Sequence, residues 1–197
     1  FRPFGVHFGP IWTHLGPFSM AWGTFFFDAD NDGDQDLYVL RHSVHPSGAY
    51  NNASQRAVRD AKAGDLFYLN TGSARQPVFE DRSEDWGILG SQIGYGLSIV
   101  AEDFNADGYL DLFIGNDFHE NDYLYINNGD KTFTESIEFY TSHTSRFTMG
   151  IDIADMNNDG LMDVVVVAAD KINCSRPNNQ GGPLSSAYAY IWDPRTG

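Results

Sequence analysis

One nine-residue pattern, D-x-[DN]-x-D-G-x-x-D, is written three times in this chain: "DADNDGDQD" at 28–36, "DFNADGYLD" at 103–111 and "DMNNDGLMD" at 155–163. No other feature restricts the fold as strongly. The starts lie 75 and 52 residues apart (103 − 28 and 155 − 103), which marks a repeat with an insertion in its first copy. Carboxylates at every second position repel one another unless a cation joins them. Asp/Asn-Gly turns between strands are the bland alternative, since such residues turn the chain without any metal.

Calcium is a hard cation that takes six to eight oxygen ligands, and short acidic loops with a glycine at the sixth position supply them. In the first copy Asp28, Asp30, Asp32 and Asp36 offer carboxylates and Asp34 its backbone carbonyl. The second copy offers Asp103, Asn105, Asp107 and Asp111 with the Tyr109 carbonyl, and the third Asp155, Asn157, Asp159 and Asp163 with the Leu161 carbonyl. Gly33, Gly108 and Gly160 let the backbone close on the ion. Three calcium ions would bring the net charge from −15 to −9 (−15 + 6).

An EF-hand fails here. It needs Glu at the twelfth position, where this chain has Val39, Ile114 and Val166, and it needs a helix to follow. The motifs instead lead into "LYVL", "LFIG" and "VVVVAA", β-branched and aromatic runs that read as strands. "GTFFF", "LSIVAE" and "GIDIA" lead into the loops, so each acidic run bridges two strands. A hairpin follows each motif: "DLFYLNTG" (65–72) before "PVFED", and "DYLYINNGD" (122–130) before "KTFTE". "AYAYIW" (187–192) stands as the equivalent strand of the third copy. About four short strands per unit describe the blade of a β-propeller. The expected architecture is all-β: one partial propeller-type domain over 1–197, with units at about 20–90, 91–142 and 143–197 and an insertion at 41–64. Tyr68 with Tyr125, and Phe79 with Phe133, are expected in the core between blades.

These residues resemble a known family. "DADNDGDQDLYV", "GYGLSIVAEDFNADGYLDLFIGNDFHENDYLYINNGDKTFTE" and "HTSRFTMGIDIADMNNDGLMDVVVV" are similar to the FG-GAP/VCBS repeats of secreted bacterial proteins, closest to those that carry an ASPIC/UnbV region. Integrin alpha-chain propellers use a similar calcium loop. The resemblance covers roughly 20–40 and 65–167. It implies a calcium-binding β-propeller, extracellular or at the cell surface, usually of seven blades. This chain departs from that pattern in carrying about three units, and the 169–197 tail follows no repeat beyond the strand at 187–192.

Composition sets the partners. Twelve Lys plus Arg against 27 Asp plus Glu disfavours nucleic acid and anionic membranes, both of which would be repelled. A single cysteine, Cys174, excludes an internal disulfide, and no apolar run reaches the length of a membrane span. No leader with a basic start and apolar core is visible, and the missing initiator Met is what a mature or trimmed product shows. "SQRAVRDAKAG" within the insertion is expected to form a short helix, capped by Ser54 and ended by Gly64. Its Arg56, Arg59 and Lys62 face either solvent or an acidic neighbour, such as a second copy of the chain. Asn52 and Asn173 lie in glycosylation sequons.

Catalytic signals are thin. The histidines (His7, His14, His42, His45, His119, His143) form no H-E-x-x-H pattern, G-x-S-x-G is absent, and Cys174 has no adjacent base. His119-Glu120 reads as a polar loop. The expectation is therefore not an enzyme but an extracellular calcium-binding module with a structural, adhesive or protein-binding role in a larger assembly. The aromatic, nearly uncharged segment 1–18 is a candidate docking element. Carbohydrate is a further candidate partner. Two alternatives stand beside this reading: a subunit of a self-assembling extracellular fibre, and a calcium-dependent, lyase-like polysaccharide enzyme.

Overall fold

The computed structural model describes residues 20–46, 53–118, 120–141 and 144–168, and the backbone alone of strand 186–190. The segment 1–18, Asn52, His119, His143, Asn173 and Cys174 lie outside the described residues. Three antiparallel meanders follow one another. The first runs β1 (Met20–Phe27), β2 (Asp36–His42), β3 (Leu66–Asn70) and β4 (Phe79–Asp81). The second runs β5 (Gly96–Glu102), β6 (Asp111–Asn116), β7 (Tyr123–Asn127) and β8 (Phe133–Glu135). The third holds β9 (Thr148–Ala154), β10 (Asp163–Ala168) and β11 (Ser186–Tyr190). One short helix, α1 (Ile137–Tyr140), leaves the second sheet. The sheets are propeller-type blades that form no closed ring among the described residues, and β11 pairs with β10 where the sequence places the third copy's hairpin strand.

Register ties each acidic loop to its sheet. Phe27 pairs with Asp36, Glu102 with Asp111 and Ala154 with Asp163, so the last aspartate of every motif is the first residue of the second strand. Each first strand also carries a bulge six residues before its loop, at Trp22, Leu97 and Met149, where the partner register skips one residue. A bulge adds local twist, and the same insertion in three copies bends the blades alike.

Strand alternation gives each blade two apolar faces. The face of blade 2 bearing Leu112, Ile114, Tyr123, Tyr125 and Phe133 packs on Phe27, Tyr38, Leu40, Phe67 and Trp86 of the blade 1 unit. The opposite face of blade 2 (Phe113, Leu124, Ile126) packs with Phe104 on Val164 and Val166 of blade 3. Stacking thus repeats in one direction. Tyr125 and Phe133 lie between blades as expected, but Tyr68 and Phe79 do not meet them. Those two sit on the other side of blade 1 with Leu37, Val39 and Leu66, because equivalent residues in successive blades face the same way rather than each other.

The insertion departs from its expected helix. Ala53–Ala57 forms a single 3-10 segment, and a separate turn closes where Asp60 O accepts from Ala63 N–H (3.3 Å) and Gly64 N–H (2.9 Å). Between the two, tertiary bonds interrupt a continuous helix: Asp60 N–H bonds Gly90 O at 3.0 Å, and Val58 O accepts from Gln92 N–H at 3.0 Å. The Asp60 carboxylate captures the N–H groups of Lys62 (2.7 Å) and Ala63 (3.2 Å), competing with helix as Asp does. Gly64 is not a helix stop but a close approach: a Cβ there would lie 2.0 Å from the Gly90 carbonyl oxygen. Arg56 is likewise not solvated. Its Nε lies 2.8 Å from Glu120 Oε1, angled as an ion pair rather than a straight hydrogen bond, and Glu135 and Glu138 lie within 3.5 Å. Its guanidinium also covers the Tyr123 ring. The acidic neighbour of the insertion is the chain's own second blade.

Candidate metal centres

The three motifs fold into one loop shape with one hydrogen-bond wiring. The first aspartate accepts two backbone N–H groups: Asp28 from Asp32 and Gly33, Asp103 from Asp107 and Gly108, Asp155 from Asp159 and Gly160, at 2.8–3.1 Å. The fifth-position aspartates accept from the residue two further on: Asp32 from Asp34, Asp107 from Tyr109, Asp159 from Leu161. The last aspartate reaches back to the second position, accepting from Ala29, Phe104 or Met156 at 2.9–3.0 Å. Each carboxylate oxygen keeps a further lone pair for a cation.

Two backbone sites make the shape. The sixth-position glycines have φ of 92°, 92° and 86°, the left-handed region that glycine enters at no steric cost. The fourth residue is also left-handed, with φ near 57° at Asn31 and 58° at Ala106 and Asn158. Asparagine signals such a position and alanine does not, so the second loop hides it.

In the first loop, ligand oxygens of Asp28, Asp30 and Asp36 lie within 4.8 Å of one another. Asp34 Oδ1 is buried with no hydrogen-bond partner. Burial pushes the Asp36 carboxyl up to about 6, against the N–H groups of Asn70 and Ala29 that hold it down. Burial likewise raises Asp111, to about 7. Clustered, partly desolvated carboxylates of this kind suit a hard divalent cation, which removes the cost of ionising them together. The second and third loops carry Asn105 and Asn157 at the third position, whose amides donate to Asp107 Oδ2 (2.9 Å) and Asp159 Oδ2 (3.3 Å). Tyr109 lays its ring over Gly129, where a Cβ would come within 2.7 Å of it, so its side chain packs away from the loop interior.

Several residues that position the loops escaped the sequence reading. Asn70 and Asn127 end β3 and β7 and donate backbone N–H groups to Asp36 Oδ1 and Asp111 Oδ1, each at 2.8 Å. The Asn127 amide also reaches the Ala29 carbonyl of blade 1 at 2.8 Å. Lys131 Nζ lies 3.1 Å from Asp30 Oδ2, and Asn31 Nδ2 lies 2.9 Å from the Gly108 carbonyl. The first loop is thereby fastened to blade 2. The signal was present in the matching segments "DLFYLN" and "DYLYIN", whose terminal Asn recurs.

Comparison with known proteins agrees with this architecture. The chain is 29% identical over 128 residues to integrin alpha-3 of Mus musculus, covering 53% of this chain and 12% of that protein. It is 28% identical over 138 residues to integrin alpha-3 of Cricetulus griseus, covering 64% of this chain and again 12% of the relative. The match therefore spans a small part of either relative's length. Residues 103–166, which run from the first aspartate of the second loop through the third loop into β10, match the FG-GAP-like repeat, and it is this repeat family that the chain resembles.

Proposed function

We propose that the chain is an extracellular calcium-binding β-propeller module that holds one calcium ion in each acidic loop. It serves a structural, adhesive or protein-binding role within a larger assembly, and it is not an enzyme. The observation that carries this reading is the wiring of the first, fifth and ninth positions shared by three loops, with the oxygens of Asp28, Asp30 and Asp36 within 4.8 Å in the first. The ligands are those read from the motif: carboxylate or amide oxygens from positions one, three, five and nine, and the carbonyl of Asp34, Tyr109 or Leu161. The likeness to FG-GAP-like repeats and to integrin alpha-3 supports a binding module rather than catalysis, and supports protein partners. No described helix is long and apolar enough to cross a membrane.

Calcium titration of the purified chain tests the ligand assignment. Changing Asp36, Asp111 or Asp163 singly to Asn should each remove one class of site and leave the other two. Binding that persists undiminished in all three variants would refute it.

A further inference from the structure

Two bridges of hydrogen bonds join the first acidic loop to the second, and each ends on a candidate ligand. The first bridge is buried. Asn127 donates its backbone N–H to Asp111 Oδ1 and its side-chain Nδ2 to the Ala29 carbonyl, both at 2.8 Å. Ala29 N–H in turn donates to Asp36 Oδ2 at 2.9 Å. Two residues thus connect the ninth-position aspartates of both loops, and all four members of this path are at most 1% exposed. The Asn127 side chain is fixed from its other end as well, since its Oδ1 accepts the Gly129 N–H at 3.0 Å.

The second bridge runs along the surface. Asn31, set between Asp30 and Asp32, donates its Nδ2 to the Gly108 carbonyl at 2.9 Å. The N–H of that same peptide unit, carried by Tyr109, donates to Asp107 Oδ1 at 2.9 Å. The orientation of one peptide plane in the second loop is therefore set from both loops at once. A buried carbonyl that loses its donor costs more than the bond itself contributes, so the Ala29 carbonyl and the Asn127 amide move together or not at all.

We propose that Asn127 is a positioning residue shared by the first and second sites, and that these two sites therefore bind calcium cooperatively. This rests on the reading of each acidic loop as a calcium site. Closing the first loop fixes Ala29, hence the Asn127 amide, hence the backbone N–H that holds Asp111. Closing the second loop fixes the same residues in the reverse order. The ordering of the shared junction falls on whichever site fills first, and the other then fills in a loop already set. Asn31 supports the same coupling from the surface side.

Calcium titration of the full, isotope-labelled chain, read by the amide resonances of Gly33 and Gly108, tests it. Each of these amides donates to the first aspartate of its own loop and so reports that loop. Asp28→Asn disables the first site through a side chain that belongs to neither bridge. It should move the Gly108 midpoint to about five- to tenfold higher calcium, and Asp103→Asn should move the Gly33 midpoint by the same factor, because coupling is reciprocal. In the Asn127→Ala background the shift caused by Asp28→Asn should fall below about twofold, whereas a merely structural role would leave that ratio unchanged. Asn31→Ala installs the residue that the second loop holds at the same left-handed position (Ala106, φ 58°), and it should reduce the shift in part. If Asn127→Ala does not fold, Asn31→Ala decides alone. A Gly108 midpoint that Asp28→Asn leaves in place overturns the inference, as does a shift that neither background reduces. Two signals that respond to calcium without coupling remove this inference and spare the metal assignment. Signals that calcium never moves remove both.

Discussion

At the scale of single residues, position in the loop decides what a side chain is worth. Gly108 and Tyr109 are neighbours with opposite roles. Gly108 holds φ at 92° with open space where a Cβ would go, so Gly108→Val suffers from backbone strain and not from collision. That strain is about 1–2 kcal/mol and falls on the loop itself. Tyr109→Val keeps the carbonyl but loses the ring over Gly129. Calcium titration should find the second site weakened in G108V and near normal in Y109V, and equal affinities would refute the roles. Asp122 offers a different test. It is fully buried, accepts the Asn116 N–H at 2.8 Å and the Thr148 hydroxyl at 3.1 Å, and is pushed up to about 7 by burial. Between about pH 4 and that value the folded chain holds a proton that the unfolded chain has already released. Its contribution to stability is therefore full below about pH 4 and is lost as pH rises through about 7. Asp122→Asn has no charge to bury. In saturating calcium its stability relative to the parent should rise between about pH 5 and pH 8; a gap that stays constant would contradict the burial argument.

At the scale of elements, the strands were legible because three signals agreed: the acidic turn, the β-branched run behind it and the hairpin that follows. The insertion was not, because its helical pattern is local while its hydrogen bonds are tertiary. "SQRAVRDAKAG" has fair helix formers, yet Asp60, Gly90 and Gln92 take the donors and acceptors a helix would need. The bulges at Trp22, Leu97 and Met149 left no mark in composition, since three unlike residues occupy one structural position. The docking of the insertion gives a prediction. Arg56→Ala leaves the buried Glu120 without its cation, and removing one partner of a buried pair costs about 3–5 kcal/mol. The exposed edges of the cluster, Glu138 above all, reduce that toward its lower end. Denaturant unfolding measures it, and a loss under about 0.5 kcal/mol, the range of ordinary surface substitutions, would show the insertion to be loosely held. The core between blades 1 and 2 should respond more strongly: Phe67→Ala, which removes a fully buried ring touching Phe27, Trp86 and Phe133, should cost about 3–5 kcal/mol.

At the scale of the whole molecule, blades 2 and 3 turn the same face toward the blade before them, so the stacking has direction. The number of acidic loops was readable from sequence; the direction of stacking was not, because it depends on which strand face each aromatic takes and on inter-blade bonds such as Asn127 to Ala29. The first loop lies at such a junction, fastened through Asn31 and Lys131, so calcium held there as proposed would join blade 1 to blade 2 as well as close its own loop. Removing it should loosen the array as a whole, since carboxylates such as Asp28, Asp30 and Asp36 then repel unscreened across less than 5 Å. A ligand that binds only the folded state adds about 2.7 kcal/mol per site at a hundredfold excess over Kd. Thermal melts of the chain in calcium and in chelator measure this most directly. The account predicts a midpoint raised by calcium, with each of the variants Asp36→Asn, Asp111→Asn and Asp163→Asn losing part of that rise. A midpoint identical in calcium and in chelator would contradict it.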